Sequence, residues 1–194
     1  MGMPHASPRW TATAVRDLPD DGQRYELVGG ELVVTPSPAW IHQSVAAALY
    51  DRMHDFVKSN AVGMVRWSPA DISLGEDEIL QPDLFVVPVD DLQPIRSWSD
   101  VTRLLLAIEI VSPSSARYDR QLKRRRYQKA LVPEYWIVEP DARLVERWRP
   151  EDLRPEILGE TLTWQPDPAH APLEIDLVEM FREAWGEKPG TATA

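Results

Sequence analysis

Two carboxylates and one amine stand out in the sequence because of the residues around them. Asp83 follows Gln81-Pro82 and precedes an apolar run, Glu109 interrupts a second apolar run, and Lys123 lies in the basic segment that follows. Paired carboxylates bind hard divalent cations such as Mg²⁺ and Mn²⁺, which prefer oxygen ligands. Such a cation activates water and neutralises charge on a phosphate ester, and a nearby ammonium adds to that effect. The three side chains therefore predict a metal-dependent phosphodiesterase site.

Glu109 lies near the end of a predicted buried strand. Leu104–Val111 is a near-continuous apolar run, which is typical of a strand covered on both faces. Alternation along the strand places Leu105 and Ala107 on the face of Glu109, with the even-numbered residues on the other face. An isolated buried carboxylate is costly unless it is neutralised, paired or metal-bound. Glu109 therefore needs a partner, and the strand alone favours an arginine ion pair about as much as a metal.

The segment before Glu109 predicts a second buried strand that begins beside Asp83. Gln81–Val87 is apolar after its proline, and proline is tolerated at the start of a strand, where it need not donate a hydrogen bond. Alternation places Phe85 and Val87 on the same face as Asp83. Asp83 is thus expected at the mouth of a strand, where its carboxylate can reach a neighbouring strand end.

A basic helix is predicted directly after the strand of Glu109. Ser112–Ser115 supplies turn and capping residues, and the helix is expected over Ala116–Leu131. Asp119, Lys123 and Tyr127 follow each other at four-residue steps, so they lie on one stripe that faces the sheet. A lysine on this stripe would pack its stem and direct its ammonium towards the strand ends. Asp83, Glu109 and Lys123 are therefore predicted to converge.

Longer motifs around these residues resemble a known family. They are Pro82-Asp83, Glu109-Ile110-Val111-Ser112-Pro113-Ser114, Lys123, Tyr127, Val132-Pro133-Glu134-Tyr135-Trp136-Ile137-Val138 and, near the start, Tyr25-Glu26-Leu27 with Gly30-Glu31-Leu32. From about Tyr25 to Phe181 the chain resembles the Uma-type endonucleases. These belong to the PD-(D/E)XK, or restriction-endonuclease-like, superfamily.

This resemblance implies both a fold and a set of ligands. The fold is α/β and restriction-endonuclease-like, with a mixed central β-sheet flanked by helices and an N-terminal β-hairpin. The implied ligands of Mg²⁺ or Mn²⁺ are Asp83, Glu109 and the backbone carbonyl of Ile110. The general superfamily pattern has a lysine two positions after the acid, where this chain has Val111. Some members carry that lysine on the following helix, which is the position of Lys123.

Four further residues are candidate accessory groups. Glu31 is either a hairpin surface residue or an accessory acid, and the surface interpretation is favoured. His42, in the first turns of a helix predicted from Ser37 to about Ser59, is likewise favoured as a capping or surface residue over a catalytic one. Asp119 and Tyr127 lie one turn to either side of Lys123 and could position it, although Asp119 could equally be a helix salt-bridge partner.

The charge distribution gives opposing indications about a nucleic-acid substrate. The formal net charge is −10, whereas phosphate binding usually leaves a basic surface. Residues 117–129 hold seven basic residues against one acidic residue, so a local basic face is possible on an acidic protein. Arg120 and Arg124 are the candidate nucleic-acid-binding residues. A solvated helix surface is the alternative interpretation of the same charges.

Length and composition predict one soluble domain. We expect a partly ordered segment at 1–21, a single domain at 22–185 and a flexible tail at 186–194 of the 194 residues. The sequence has no cysteine, which excludes disulfides and thiolate metal sites. It has neither an apolar run of membrane-spanning length nor a signal sequence, so a cytoplasmic location without membrane association is expected.

The function that we predict from these observations is a metal-dependent endonuclease. DNA is the expected substrate, and a homodimer is expected because paired sites can cut both strands. One alternative is a binding module that keeps the nuclease fold without turnover, since a fold does not establish an activity. A second alternative is a metal-dependent hydrolase of RNA or nucleotides.

Overall fold

The computed structural model describes residues 9–75, 78–89 and 95–188. Within these segments the α-helices are α1 (Ala12–Arg16), α2 (Trp40–Ser59), α3 (Ala116–Tyr118), α4 (Arg124–Lys129) and α5 (Leu177–Ala184). A 3₁₀ turn lies at Trp98–Asp100, and a π-helical segment at Asp119–Lys123 separates α3 from α4. The strands are β1 (Arg24–Val28), β2 (Glu31–Thr35), β3 (Gly63–Trp67), β4 (Leu84–Pro88), β5 (Leu106–Ile110), β6 (Glu134–Glu139), β7 (Leu144–Trp148), β8 (Glu156–Leu158), β9 (Thr161–Trp164) and β10 (Leu173–Asp176). None of the helices in the described segments combines the length and apolar character needed to cross a bilayer.

A six-stranded mixed sheet forms the centre of the protein, in the order β3-β4-β5-β6-β7-β8. Only the β5–β6 pair within it is parallel, because the basic helical segment connects these two strands as a crossover. Strands β1 and β2 form a separate antiparallel hairpin, and β9 pairs with β10. Gly29 and Gly30 make the turn of the first hairpin with φ of 64° and 86°, a region that glycine enters without steric cost.

The central sheet is covered on both faces. On one face, α2 and α5 pack Leu49, Met53 and Phe181 against alternating residues of β4 and β5, which include Val86 and Ile108. On the other face, the β1–β2 hairpin and the basic helical segment cover the remaining residues. That second cluster includes Val33 of the hairpin, Tyr127 of α4, and Phe85 and Ala107 of the sheet.

The predicted faces of β4 and β5 are correct within the strands. Phe85 and Val87 lie on the second face, together with Ala107 and Val111, while Leu106, Ile108 and Ile110 lie on the first. The prediction is wrong for Leu104 and Leu105, which lie on the second and first faces respectively. These two residues precede β5, so the alternation of the strand does not apply to them.

The basic helix is not one continuous α-helix from Ala116 to Leu131. Its middle is the π-helical segment, and α4 ends at Lys129. Leu131 has a φ of 55° and is exposed, so it lies beyond the helix end. The predicted first helix begins at Trp40 rather than Ser37 and ends at Ser59 as expected.

The ends of the chain are described in part. Within the N-terminal segment predicted as partly ordered, α1 packs Val15 against Leu27 and Ile79, and residues 1–8 lie outside the described residues. Residues 189–194 of the predicted tail also lie outside them. The assignment of one domain to 22–185 stays a prediction.

Candidate active site

Asp83 is held at the start of β4 by three donors from three different elements. Its Oδ1 accepts from Arg24 Nη1 at 3.0 Å, and its Oδ2 lies 2.9 Å from His42 Nε2. Oδ2 also accepts from the backbone N–H of Ile110 at 2.9 Å. Since Ile110 is the last residue of β5, this bond fixes the carboxylate of Asp83 beside the end of the strand that carries Glu109.

Glu109 points to the same side of the sheet as Asp83. It is almost fully buried, with 3% of its surface exposed, and its Oε1 lies 3.0 Å from Lys123 Nζ. The hydroxyl of Tyr127 donates to the same oxygen at 3.2 Å. Glu109 and Asp83 line one cavity of about 230 Å³, which is also lined by Ile110. The partner that a buried Glu109 requires is therefore a lysine rather than an arginine.

Lys123 is the centre of a buried cluster of carboxylates. The π-helical segment turns both Asp119 and Lys123 inward, and such segments are often found at functional sites. Besides Glu109, the ammonium of Lys123 contacts Glu26 Oε2 at 2.9 Å and Asp119 Oδ1 at 3.5 Å. Asp119, Lys123 and Tyr127 thus share one buried stripe, as their four-residue spacing predicted.

Glu26 and Arg24 are site residues that the sequence analysis did not identify. Glu26 is 1% exposed, and besides its contact with Lys123 its Oε1 accepts from the backbone N–H of Gln81 at 2.7 Å. Alternation along β1 places Arg24, Glu26 and Val28 on one face, and Val28 is buried in the second core cluster. This alternation was the available signal, because it ties both charged residues to a buried apolar one.

The structure does not bring Glu31 into the site. Glu31 is the first residue of β2, is exposed, and pairs with Val28 at the turn end of the hairpin. It is absent from the described residues that line the cavity, whereas Val33 and Thr35 of the same strand are present. Two residues along a strand span about 7 Å, so Glu31 lies one such step further from the cavity than Val33.

Charges in the site are not balanced by the side chains that surround them. Four carboxylates, from Glu26, Asp83, Glu109 and Asp119, face two permanent cations, Arg24 and Lys123. The carboxylates of the site therefore outnumber its two permanent cations. An excess of buried negative charge is unfavourable unless protons or cations neutralise it.

The pKa values of the site follow from this arrangement. Burial raises the pKa of Asp83, but the hydrogen bond and charge of His42 and the charges of Arg24 and Lys123 outweigh burial and lower it to about 2. Burial raises the pKa of Glu109 well above its ordinary value, and nearby carboxylates add to the effect while Lys123 opposes it. For Lys123, burial lowers the pKa, yet the surrounding acids, led by Glu109, raise it well above its ordinary value.

Arg120 and Arg124 are occupied by acceptors of the protein itself. Arg120 forms ion pairs with Glu139 at 2.7 Å and Glu146 at 2.6 Å, both from strands of the central sheet. Arg124 donates to Gln128 Oε1 at 2.7 Å and lies 4.5 Å from the centroid of the Trp148 ring. These contacts give both guanidinium groups a role in fixing the helical segment to the sheet.

The donor set of the cavity fits a divalent cation. In the described part of the chain, no group of three or more His, Asp or Glu side chains is arranged to hold a metal. The implied set is smaller, two carboxylates and one backbone carbonyl, and Mg²⁺ usually keeps several waters in such sites. The donors are all oxygen atoms, which Mg²⁺ and Mn²⁺ prefer, and a cation would offset part of the negative charge of the carboxylates.

Three features define an α/β protein of the restriction-endonuclease-like class. They are the mixed sheet, the acids at adjacent ends of β4 and β5, and the lysine of the following helical segment. The chain belongs to the Uma2 family, since the model of that family, described as "Uma2: Putative restriction endonuclease", matches residues 13–178. The predicted family and fold class are therefore confirmed.

A comparison with solved structures agrees with the fold. The chain is similar to the crystal structure of "a putative nuclease belonging to DUF820" from Anabaena variabilis ATCC 29413, with a TM-score of 0.69 and 17% identity. The match covers 90% of this chain and 99% of that chain. At this identity the likeness shows the fold alone. A search of curated proteins found no match.

Proposed function

We propose that this protein is a metal-dependent endonuclease that hydrolyses phosphodiester bonds in DNA. The observation that carries the proposal is the meeting of Asp83, Glu109 and Lys123 at one cavity, from a strand start, a strand end and a helical segment. Family membership supports the same class of reaction.

Asp83, Glu109 and the backbone carbonyl of Ile110 would hold Mg²⁺ or Mn²⁺. When bound, such an ion supplies Lewis-acid stabilisation of a phosphate oxygen and lowers the pKa of a water molecule. Glu109 contributes its Oε1 to Lys123 and Tyr127, so the rest of the carboxylate can face the cavity. The N–H of Ile110 orients Asp83 towards the same space.

Lys123 acts as a fixed positive charge and not as a base. Its raised pKa keeps the amine protonated at neutral pH, because three carboxylates surround it. The ammonium can therefore offset negative charge that develops on a phosphate in the cavity. Glu26 and Asp119 act through Lys123 by holding the ammonium in place, and Tyr127 acts through Glu109.

Arg24 and His42 are positioning residues for Asp83 in this proposal. Each binds a different oxygen of the carboxylate, so together they fix its rotation. His42 belongs to α2, which covers the opposite face of the sheet, and it reaches Asp83 at the sheet end. The proposal gives His42 a place in the site, whereas the sequence favoured a capping or surface role.

A homodimer belongs to the same proposal. One copy of the chain carries one set of catalytic side chains, and hydrolysis of both strands of a duplex is easiest with two sets. Sedimentation equilibrium with and without duplex DNA tests whether the protein is a dimer. A dimer is expected in the DNA-bound sample, and a monomer in both samples would contradict the proposal.

Cleavage of plasmid DNA tests the reaction. With Mg²⁺ or Mn²⁺ the wild type is expected to nick or linearise the plasmid, and Asp83→Asn and Glu109→Gln should lower the rate on the order of 100- to 1000-fold. Asp55→Asn changes an exposed acid of α2 and is the matched control. Metal binding without turnover on DNA or RNA would favour an inactive binding module. Cleavage of RNA or nucleotides but not DNA would select a different hydrolase.

A further inference from the structure

A second groove opens directly beside the catalytic cavity. It has a volume of about 280 Å³ and runs along the edge of the central sheet, between α2 and the end of β3. Three of its lining residues, Arg24, His42 and Asp83, also line the catalytic cavity. The two spaces therefore lie side by side against the same three residues, so an extended ligand could contact both.

Trp67 forms an aromatic wall of this groove. It is the last residue of the edge strand β3, pairs with Leu84 of β4, and is 54% exposed. The next residue, Ser68, donates its backbone N–H to the carbonyl of Asp83 at 3.3 Å. Trp67 thus lies at the end of the sheet beside Asp83, with its ring on the face that α2 covers.

Tyr50 of α2 closes the groove beside Trp67. The two rings meet at 5.1 Å between centroids and at 85°, so the edge of one ring faces the other. This contact holds the indole while more than half of its surface stays open to solvent. Single exposed aromatic residues are common and need no explanation. Here two aromatic side chains line one groove that Asp83 also lines.

The chemistry of the catalytic cavity and that of the neighbouring groove together indicate the class of ligand. The catalytic cavity takes a phosphate in the proposed function, and an aromatic face next to a phosphate site is suited to the base of the same or the adjoining nucleotide. Base–aromatic stacking does not depend on sequence, because every base has a π-face. Stacking also does not require a protein of net positive charge, and this chain has a formal net charge of −10.

We propose that the groove of Trp67 and Tyr50 binds an unpaired nucleobase next to the scissile phosphate. Bases in a duplex are stacked on both faces, so a base reaches a side-chain wall only when it is unpaired or flipped out. The substrate class is accordingly single-stranded DNA, or duplex DNA with a local opening. The role of the groove in cleavage rests on the proposed function, whereas base binding can be measured separately.

Fluorescence anisotropy with a labelled DNA strand of about 12 nucleotides tests this proposal. In EDTA, so that cleavage does not interfere, the wild type is expected to bind the single strand more tightly than the matching duplex. Trp67→Ala should weaken binding of the single strand about five- to thirtyfold, within the range of base–aromatic stacking. Trp67→Phe keeps an aromatic face and should retain most of the affinity.

Trp98→Ala is the matched control. Trp98 is also partly exposed, at 39%, but it contacts Phe85 and does not line the groove. Its replacement should leave binding unchanged. The loss caused by Trp67→Ala should also be similar at 50 and 200 mM salt, since stacking lacks the steep salt dependence of phosphate contacts. Thermal unfolding of each variant checks that it is folded at the assay temperature.

The outcomes separate the groove from the nuclease proposal. Plasmid cleavage together with unchanged binding by Trp67→Ala would overturn the groove proposal and leave the nuclease standing. Binding that depends on Trp67 without any cleavage would support the groove and contradict the nuclease. Unchanged DNA binding together with a lower oligomeric mass in Trp67→Ala would show a protein contact, which also overturns the groove proposal.

Discussion

Replacement of Lys123 by methionine tests the buried charge cluster most sharply. The change removes the ammonium that contacts Glu26, Glu109 and Asp119 and keeps a side chain of similar length. Removal of one partner from a buried ion pair costs about 3 to 5 kcal/mol, because the remaining charge is left uncompensated. We therefore expect the free energy of unfolding at pH 8 to fall by about that amount, a large part of the roughly 5 to 15 kcal/mol that holds a typical domain together.

The loss of unfolding free energy caused by Lys123→Met should become larger as pH rises. Burial and neighbouring acids already raise the pKa of Glu109 and Asp119, and loss of the ammonium removes the main opposing charge. The folded variant then binds more protons than its unfolded chain above the ordinary carboxyl pKa, so its stability falls as pH rises. The slope is up to about 1.4 kcal/mol per pH unit for each proton. The destabilisation relative to the wild type should consequently be smaller at pH 5 than at pH 8.

Urea denaturation in EDTA at both pH values measures this difference. Lys129→Met, on the exposed side of α4, is the matched control and should change stability by less than about 0.5 kcal/mol. Addition of Glu109→Gln to Lys123→Met should restore part of the loss, since it removes one of the unpaired charges. A loss below about 1 kcal/mol at pH 8, or a loss that does not change between pH 5 and 8, would refute the charge cluster.

Three further predictions concern individual contacts. The pKa of Asp83 is about 2 in the folded protein against an ordinary 3.8, so its ionisation stabilises the fold above pH 3.8. About 2 kcal/mol of unfolding free energy should therefore be lost as pH falls from 4 to 2. Acid-unfolding curves of Asp83→Asn should lack this loss. Tyr127→Phe removes a buried donor to Glu109 and should lower the free energy of unfolding by about 1 to 2 kcal/mol. Thermal unfolding measures this loss, and an unchanged midpoint would contradict it. Arg120→Ala breaks partly exposed ion pairs, so the free energy of unfolding should fall by less than about 1 kcal/mol. Its DNA affinity, measured by anisotropy, should stay within twofold of the wild type, and a large loss of affinity would contradict a purely structural role.

The sequence was sufficient to predict where the two acids and the lysine meet. Alternation along β4 put Asp83 on the face of Phe85 and Val87, alternation along β5 put Glu109 on the face of Ala107, and the four-residue spacing of Asp119, Lys123 and Tyr127 predicted one helix stripe that faces the sheet. Both patterns are local periodicities, and they hold because apolar neighbours force each element to bury one side.

Residues whose roles depend on packing between distant elements could not be predicted in the same way. Alternation along β1 ties Glu26 to the face of the buried Val28, but its contact with Lys123 depends on the hairpin packing against the basic helical segment. The ion pairs of Arg120 depend on acids in two strands beyond the helix. The π-helical segment is a third case, since nothing in its residues distinguishes it from an ordinary helical turn.

Titration of Mn²⁺ into the metal-free protein by isothermal calorimetry tests the central claim most directly. The claim is that Asp83 and Glu109 together hold a divalent cation. The wild type and the control Asp55→Asn should bind Mn²⁺ equally, whereas Asp83→Asn and Glu109→Gln should each bind at least about tenfold more weakly. No binding by the wild type, or equal binding by all four proteins, would contradict the account.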